Sequence, residues 1–250
     1  MKIWLSGAAG HMGRAVAEAA ESQGVRVLAG VDRVEADLGF PMVSRFADLP
    51  EGGDALIDFS APAALGELLP WALERRVPLV LCTTGYDEAQ LEQIREASRQ
   101  LAIFRSGNMS VGIALLRRLA REAAQVLGEP FDIEITETHH RRKADAPSGT
   151  ALMLLEAVRG ANSQPVFGRH GRESRRQPGE IGVHARRGGT VVGEHEVAFL
   201  GDQERICLSH SAESRSVFAL GALRAGAFLI GKAPGTYEMD DLLAERLQGI

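Results

Sequence analysis

Two cysteines, Cys82 and Cys207, are all that the 250 residues contain. Far apart and outside any metal-ligand spacing, they exclude a disulfide framework and a cysteine-built metal centre; they favour a reducing compartment, with packing as their role. Long apolar runs are missing as well. No stretch could span a bilayer, and the opening Met1-Lys2-Ile3-Trp4-Leu5-Ser6-Gly7 passes straight into a glycine-rich turn, leaving no room for a signal peptide. A cytoplasmic protein is expected. There is no excess of positive charge either, since 28 basic side chains face 33 acidic ones for a formal net charge of −5. Nothing global therefore recommends nucleic acid or an anionic membrane as a partner, and any basic site must be local. Internal repeats and low-complexity segments are absent. What is there, 45% hydrophobic and 24% charged side chains, is a globular chain long enough for one large domain or two modest ones.

In the first half, strand and helix signals alternate. Lys2 to Ser6 reads as a short buried strand, Gly7 to Gly13 as a turn, Met12 to Gln23 as an alanine-rich helix and Val25 to Val31 as a second strand. A unit of about thirty residues is the size of a parallel pair with a crossover helix. Further strands at Asp54 to Phe59, Val77 to Cys82 and Leu101 to Arg105 are separated by helices at Pro62 to Arg75 and Asp87 to Gln100. The alternation predicts an α/β fold with a Rossmann-like, doubly wound parallel sheet.

After Asn108 the pattern changes. A helix over Val111 to Leu127 leads into Phe131 to His139, where Phe131, Ile133 and Ile135 alternate with polar residues as in a sheet with one wet face. Ser148 to Val158 reads as helix, and the Arg-, Gly- and Ser-rich stretch from there to Gly179 as a long mobile loop. Ile181 to Arg186, Val191 to Leu200 and Arg205 to His210 read as strands joined by turns at Gly188-Gly189 and Gly201-Asp202. These signals predict a second, α+β domain with a mainly antiparallel open sheet. Helices over Ser214 to Ile230 and Tyr237 to Leu247 return the chain to the first domain. The expected division is a dinucleotide-binding domain at 1–109 and 225–250 and a substrate-binding and oligomerisation domain at 110–224.

Gly7-Ala8-Ala9-Gly10-His11-Met12-Gly13 follows a strand and opens a helix, the context in which a glycine-rich turn cradles a pyrophosphate. The spacing is G-x-x-G-x-x-G, with Ala9 where the usual fingerprint has its second glycine. Asp32, at the end of the second strand, can take the ribose hydroxyls of NAD, and Arg33 beside it the 2′-phosphate of NADP, so both cofactors are expected. Two loops at later strand ends, Cys82-Thr83-Thr84-Gly85 and Ser106-Gly107-Asn108-Met109, can hold the nicotinamide half. Ordinary turn chemistry would look the same at both.

The densest chemistry lies in Glu137-Thr138-His139-His140-Arg141-Arg142-Lys143-Ala144-Asp145-Ala146-Pro147-Ser148-Gly149-Thr150-Ala151. An imidazole can donate a proton near neutral pH, cations attract carboxylates, and Ser148-Gly149-Thr150 offers hydroxyls and backbone N–H groups at a helix start. The stretch suits a small carboxylated substrate, although a solvated basic loop before an ordinary N-cap has the same composition. A metal on the histidine pair is disfavoured, because adjacent side chains on a strand point to opposite faces.

Together these motifs, with Asp58-Phe59-Ser60-Ala61-Pro62, Ile181-Gly182, Val192-Gly193-Glu194-His195 and the helix bearing Arg224, resemble the dihydrodipicolinate reductase (4-hydroxy-tetrahydrodipicolinate reductase) family over nearly the whole chain. His-His-x-x-Lys-x-Asp-Ala-Pro-Ser-Gly-Thr-Ala is that family's signature. The resemblance implies an oxidoreductase of diaminopimelate and lysine biosynthesis that uses NADH or NADPH. It assigns His139 as proton donor and Lys143 as the second catalytic residue. Substrate contacts would be His140, Lys143, Ser148, Gly149 and Thr150. Cofactor contacts would be Gly7, Ala8, Ala9, Gly10, His11, Met12, Asp32, Arg33, Cys82, Thr83, Thr84, Ser106, Gly107, Asn108 and Met109. It also implies a small dicarboxylate substrate, a homotetramer, no metal, and closure of two domains over the reactants. Three departures concern the cofactor: Cys82 where glycine is frequent, a shorter segment from Arg33 through Pro50, and His11 where arginine is frequent. Two other classes also fit the residues, an aldehyde dehydrogenase with Cys82 as nucleophile and a non-catalytic NAD(P)-responsive binding protein.

Overall fold

The computed structural model describes residues 1–248. The chain forms two compact units, one made of Met1–Val111 together with the chain from Arg215 onward, the other of Gly112–Ser214.

The first unit begins with β1 (Lys2–Ser6), α1 (His11–Ser22), β2 (Arg26–Val31) and the two-residue β3 (Met42–Val43). It continues with β4 (Ala55–Asp58), α2 (Leu65–Arg75), β5 (Leu79–Leu81), α3 (Glu88–Ser98) and β6 (Ala102–Arg105). The strands are short and mainly apolar, with polar residues at their ends, as expected when helices cover both faces of a parallel sheet. Ile3, Leu5, Leu56, Ile57, Leu79 and Leu81 are fully buried, each contributing about 1.5–3 kcal/mol of hydrophobic stabilisation. Around Trp4, Trp71 and Phe46 one aromatic corner closes the core, the two indoles meeting edge to face at 5.3 Å.

The second unit carries α4 (Val111–Leu127), β7 (Asp132–His139), α5 (Gly149–Val158), β8 (Gln164–Phe167), β9 (Glu180–Arg187), β10 (Gly193–Leu200) and β11 (Arg205–Ala212). Its sheet runs β11-β10-β7-β9-β8. One face meets Ile113, Leu116 and Ala120 of α4 and Leu154, Leu155 and Val158 of α5, with Ile135, Ile181, Val183, Val197 and Phe199 supplied by the strands. Polar residues alternate with these along β7, giving the period of two read from the sequence.

Three expectations for this unit change. The sheet is mixed: β10 pairs antiparallel with β7 and β11, whereas β7–β9 and β8–β9 are parallel. The stretch expected as a loose loop contains β8, an edge strand whose Pro165 is tolerated because only one side is paired. Arg169 pairs with Glu180 at 2.7 Å, and Arg176 reaches Asp132 and Glu134, so the following segment is tied down by charge. Gly188-Gly189 does not join neighbouring strands either. β9 and β10 flank β7, and the connection crosses the end of β7, where Gly188 N–H donates to His139 O (3.0 Å) and Arg141 N–H to Gly189 O (3.3 Å).

The chain returns to the first unit at Arg215 rather than at 225, because α6 (Ser216–Leu229) is one unbroken helix. Its small residues let it lie flush: a Cβ on Gly221 would stand 1.7 Å from Met109 O. β12 (Gly235–Tyr237), unassigned in the sequence except for Tyr237 at the expected helix start, adds to the sheet edge, and α7 (Met239–Gln248) follows. The finished sheet is β12-β6-β5-β4-β1-β2-β3, parallel at every pairing. Strand order reverses between β1 and β4, the place where such sheets open a ligand crevice at their C-terminal ends.

Candidate active site

At the switch point β1 gives way to the glycine loop. Gly7 adopts φ +73°, and a Cβ there would stand 2.5 Å from Phe59 O, in the loop that follows β4. Gly13 is as tightly constrained, with a virtual Cβ 2.3 Å from Gly7 O, so the turn can only be built from glycine at these positions. The N-cap of α1, Gly10, has no side-chain cap. The first-turn N–H groups, which have no partner within a helix, and the positive end of the helix dipole therefore face the loop's open side. Exposed His11 is the first helical residue.

Asp32 is bound to this loop: one carboxylate oxygen accepts Ala9 N–H at 2.9 Å and the other Val34 N–H at 3.1 Å. The carboxylate thus shapes the turn as well as facing the ribose position, and Arg33 beside it is exposed. Of the nicotinamide-side loops, Thr83 has turned its hydroxyl inward to donate to buried Asp58 (2.7 Å), which also accepts from Ser60 Oγ (2.6 Å). Thr84 is exposed, and Met109 is packed away with 2% exposure. Ser106 Oγ donates to Asn108 O (2.7 Å) and accepts Asn108 N–H (3.2 Å), a self-tied turn. Cys82 is buried, and burial together with the charge of Asp58 pushes its thiol well above the ordinary range. A neutral, enclosed thiol is a poor nucleophile, which removes the cysteine-dehydrogenase alternative.

In the second unit the signature stretch runs from the end of β7 to the start of α5. His139 is buried, and its Nδ1 lies 2.7 Å from Glu137 Oε2, two residues back on the same strand face. Glu137 is completely buried. Arg187 of β9 grips it with both terminal nitrogens, Nη1 to Oε2 and Nη2 to Oε1, each at 2.7 Å. Ser148 N–H adds a third donor, to Oε1 at 2.9 Å. Burial alone would raise this carboxyl, but the bonds from Arg187, His139 and Ser148 together hold it below the usual carboxylate value.

Ser148 caps α5, its Oγ accepting Ala151 N–H at 3.1 Å and lying 3.0 Å from His195 Nε2. Ser148 is 2% exposed, so the hydroxyl and N–H expected to meet substrate are already engaged inside the protein. Exposed Gly149, the first residue of α5, brings its N–H to the helix's positive end, and Thr150 follows it. Burial, and after it the neighbouring His139, lower the His195 imidazole to about 4, which leaves it neutral. The two imidazoles meet edge to face at 5.1 Å. Lys143 Nζ pairs with Asp145 Oδ1 at 2.8 Å, and the turn that carries it is closed by Lys143 N–H on His140 O (3.1 Å). Arg141 and Arg142 are exposed.

The structure thus brings His139 and Ser148 together through one carboxylate. Sequence reasoning gave no role to Glu137, Arg187 or His195. The period of two along β7 could have singled out Glu137; nothing local points to Arg187, fifty positions away.

Comparison with known proteins covers nearly the whole chain. Residues 1–109 match the family model described as dihydrodipicolinate reductase, N-terminus, and residues 112–243 that described as dihydrodipicolinate reductase, C-terminus. The 4-hydroxy-tetrahydrodipicolinate reductase of Caldanaerobacter subterraneus subsp. tengcongensis is 48% identical over 247 residues, 97% of this chain and 98% of that one. The enzyme of the same name from Clostridium novyi is 41% identical over 249 residues, 98% of this chain and 99% of the other. Among solved structures, the dipicolinate-bound dihydrodipicolinate reductase from Paenisporosarcina sp. TG-14 superposes with a TM-score of 0.78 at 20% identity, covering 95% of this chain and 97% of its own. With both halves matched in order and relatives aligned nearly end to end, the chain belongs to the dihydrodipicolinate reductase family.

Proposed function

We propose that the chain reduces 4-hydroxy-tetrahydrodipicolinate (dihydrodipicolinate) to tetrahydrodipicolinate with NADH or NADPH, a step of diaminopimelate and lysine biosynthesis. The observation that carries this reading is the cluster at the end of β7, where His139 rests on a buried carboxylate and is followed directly by Lys143 and the start of α5. Relatives that bear the reductase name over their full length support it, as does the dipicolinate held by the Paenisporosarcina enzyme.

A nicotinamide dinucleotide suits the first unit, because Gly7 and Gly13 let the loop turn tightly against Phe59 and its own backbone, and the helix start beyond is uncapped by any side chain. Gly7 to Met12 would hold the pyrophosphate, and Asp32 and Arg33 the adenosine ribose or its 2′-phosphate. Cys82 to Thr84 and Ser106 to Met109 would border the nicotinamide half. When bound, the reduced cofactor supplies a hydride to the substrate ring. His139 then gives a proton to the adjacent carbon on which negative charge develops. Lys143 exchanges Asp145 for a substrate carboxylate and stabilises charge as it forms. Gly149 and Thr150 take the second carboxylate at the helix start, with Ser148 shaping the turn and His140 beside it. We place the enzyme in the cytoplasm as a homotetramer. Its uncovered sheet face, with Glu196, Cys207 and Ser209 exposed, supports association through the second unit, and no helix among the described residues is long and apolar enough to cross a membrane.

The direct test is an assay with freshly generated condensation product and each reduced cofactor in turn. Substrate-dependent oxidation of NADH or NADPH is expected, and none with either would end the proposal. His139→Gln should lower kcat by about 10²–10⁴-fold, whereas Lys143→Ala should raise KM and lower kcat together.

A further inference from the structure

We propose that Glu137 is the positioning residue of this site, a single buried carboxylate that fixes both the tautomer of the proton donor His139 and the start of the anion-binding helix α5. The inference rests on the reductase reading for its consequence, but on geometry for its content. An isolated carboxylate is not buried completely without strong compensation. Here Arg187 supplies it through two parallel N–H bonds, and the same guanidinium reaches Asp145 O (2.6 Å), tying the 140–147 loop to β9. Held as an anion, Glu137 can only accept hydrogen bonds. His139 Nδ1 must therefore carry a hydrogen, and Nε2 is the atom left to exchange a proton. Gly193 keeps that atom approachable: a Cβ there would stand 3.0 Å from Nε2.

The proton balance follows. His139 enters with hydrogen on both nitrogens, the Nε2–H bond breaks as the new C–H bond forms on the substrate, and the ring is left as the neutral Nδ1–H imidazole. The electron pair for the reduced bond comes from the nicotinamide hydride. Glu137 accepts from Nδ1 before and after, so the ring need not rotate during transfer. Meanwhile its Oε1 takes Ser148 N–H, fixing the cap on which the orientation of α5 depends. Proton donor and anion site are thus set by two oxygens of one group.

Two measurements on the full-length chain test this. In the wild type, long-range ¹H–¹⁵N spectra, with the His139 signals assigned by their loss in His139→Gln, should show neutral His139 protonated at Nδ1. Glu137→Gln replaces an acceptor oxygen by an amide donor facing His139 or Arg187; kcat should fall by about 100-fold or more, with a smaller change in KM and unchanged NADH affinity. Loss of the Nδ1–H signature in that variant should accompany the fall. A wild-type His139 protonated at Nε2, or a Glu137→Gln enzyme with kcat within about threefold of wild type, would overturn the proposal. Should Glu137→Gln fail to bind NADH because it does not fold, the wild-type tautomer decides alone. Absence of any wild-type turnover would count against the reductase reading and leave the tautomer result standing.

Discussion

At the scale of single residues, burial at this site has consequences that reach beyond turnover. His195 titrates near 4 in the folded chain and near 6.5 when unfolded. Between those values the unfolded chain binds the extra proton, so stability falls as pH drops from 6.5 towards 4, by roughly 3 kcal/mol for this one group at full extent. His210, lowered by burial, adds to the same trend. Urea midpoints measured from pH 7 to 4.5 should therefore decline, and His195→Gln should flatten the slope by about one proton. A variant with an unchanged slope would show that His195 is not the group responsible. Gly193 makes a second prediction. Gly193→Ala sets a methyl against His139 Nε2, and kcat should fall by about tenfold or more while NADH affinity, measured by fluorescence titration, stays the same. Neither position could be ranked from sequence. His195 lies 47 positions from its partner Ser148, and only the register of β10 beside β7 brings it to the site.

Elements follow a different division between what is legible and what is not. Segments with strong local signals were readable: the five-residue β1 and the 17-residue α4 lie at the bounds the sequence gives. β3, β8 and β12 were not, because each is a sheet-edge strand of four residues or fewer whose stability comes from a distant neighbour. The order β10-β7-β9 was hidden for the same reason, since glycines in a crossing connection look like glycines in a hairpin. Helix ends are more local, and α2 shows one under strain. Arg76 terminates it in the left-handed region at φ 54°, donating its N–H to Ala72 O and Leu73 O, the conformation for which glycine is suited. The side chain is exposed, so little packing would be lost. Arg76→Gly should stabilise the chain by about 0.5–1 kcal/mol, a rise of roughly 1–4 °C in Tm, and calorimetry showing a decrease would mean that the arginine makes an offsetting contribution elsewhere.

For the whole molecule, the separation of two cores has a functional counterpart. The clusters around Trp4 and Leu56 and around Ile135 and Phe199 share no residue, and the candidate cofactor residues fall entirely in the first unit and the candidate substrate residues entirely in the second. Each half was legible because its motif is continuous in sequence, Gly7 to Gly13 in one and His139 to Thr150 in the other; the packing that supports them was not. If the two jobs are as separate as the two cores, substitutions should sort cleanly by unit. Gly7→Ala combines a left-handed backbone with a methyl 2.5 Å from Phe59 O, so the loop must move and NADH binding should weaken by at least about tenfold, roughly 1.4 kcal/mol. Lys143→Ala and His139→Gln remove groups of the second unit and should leave NADH affinity within about twofold, well under 1 kcal/mol, while turnover is lost. Titration calorimetry with NADH on all three variants, beside their steady-state rates, measures both sides of the division. Loss of nucleotide binding in His139→Gln would show that the cofactor depends on the second unit, and the assignment of the two sites to two units would have to be abandoned.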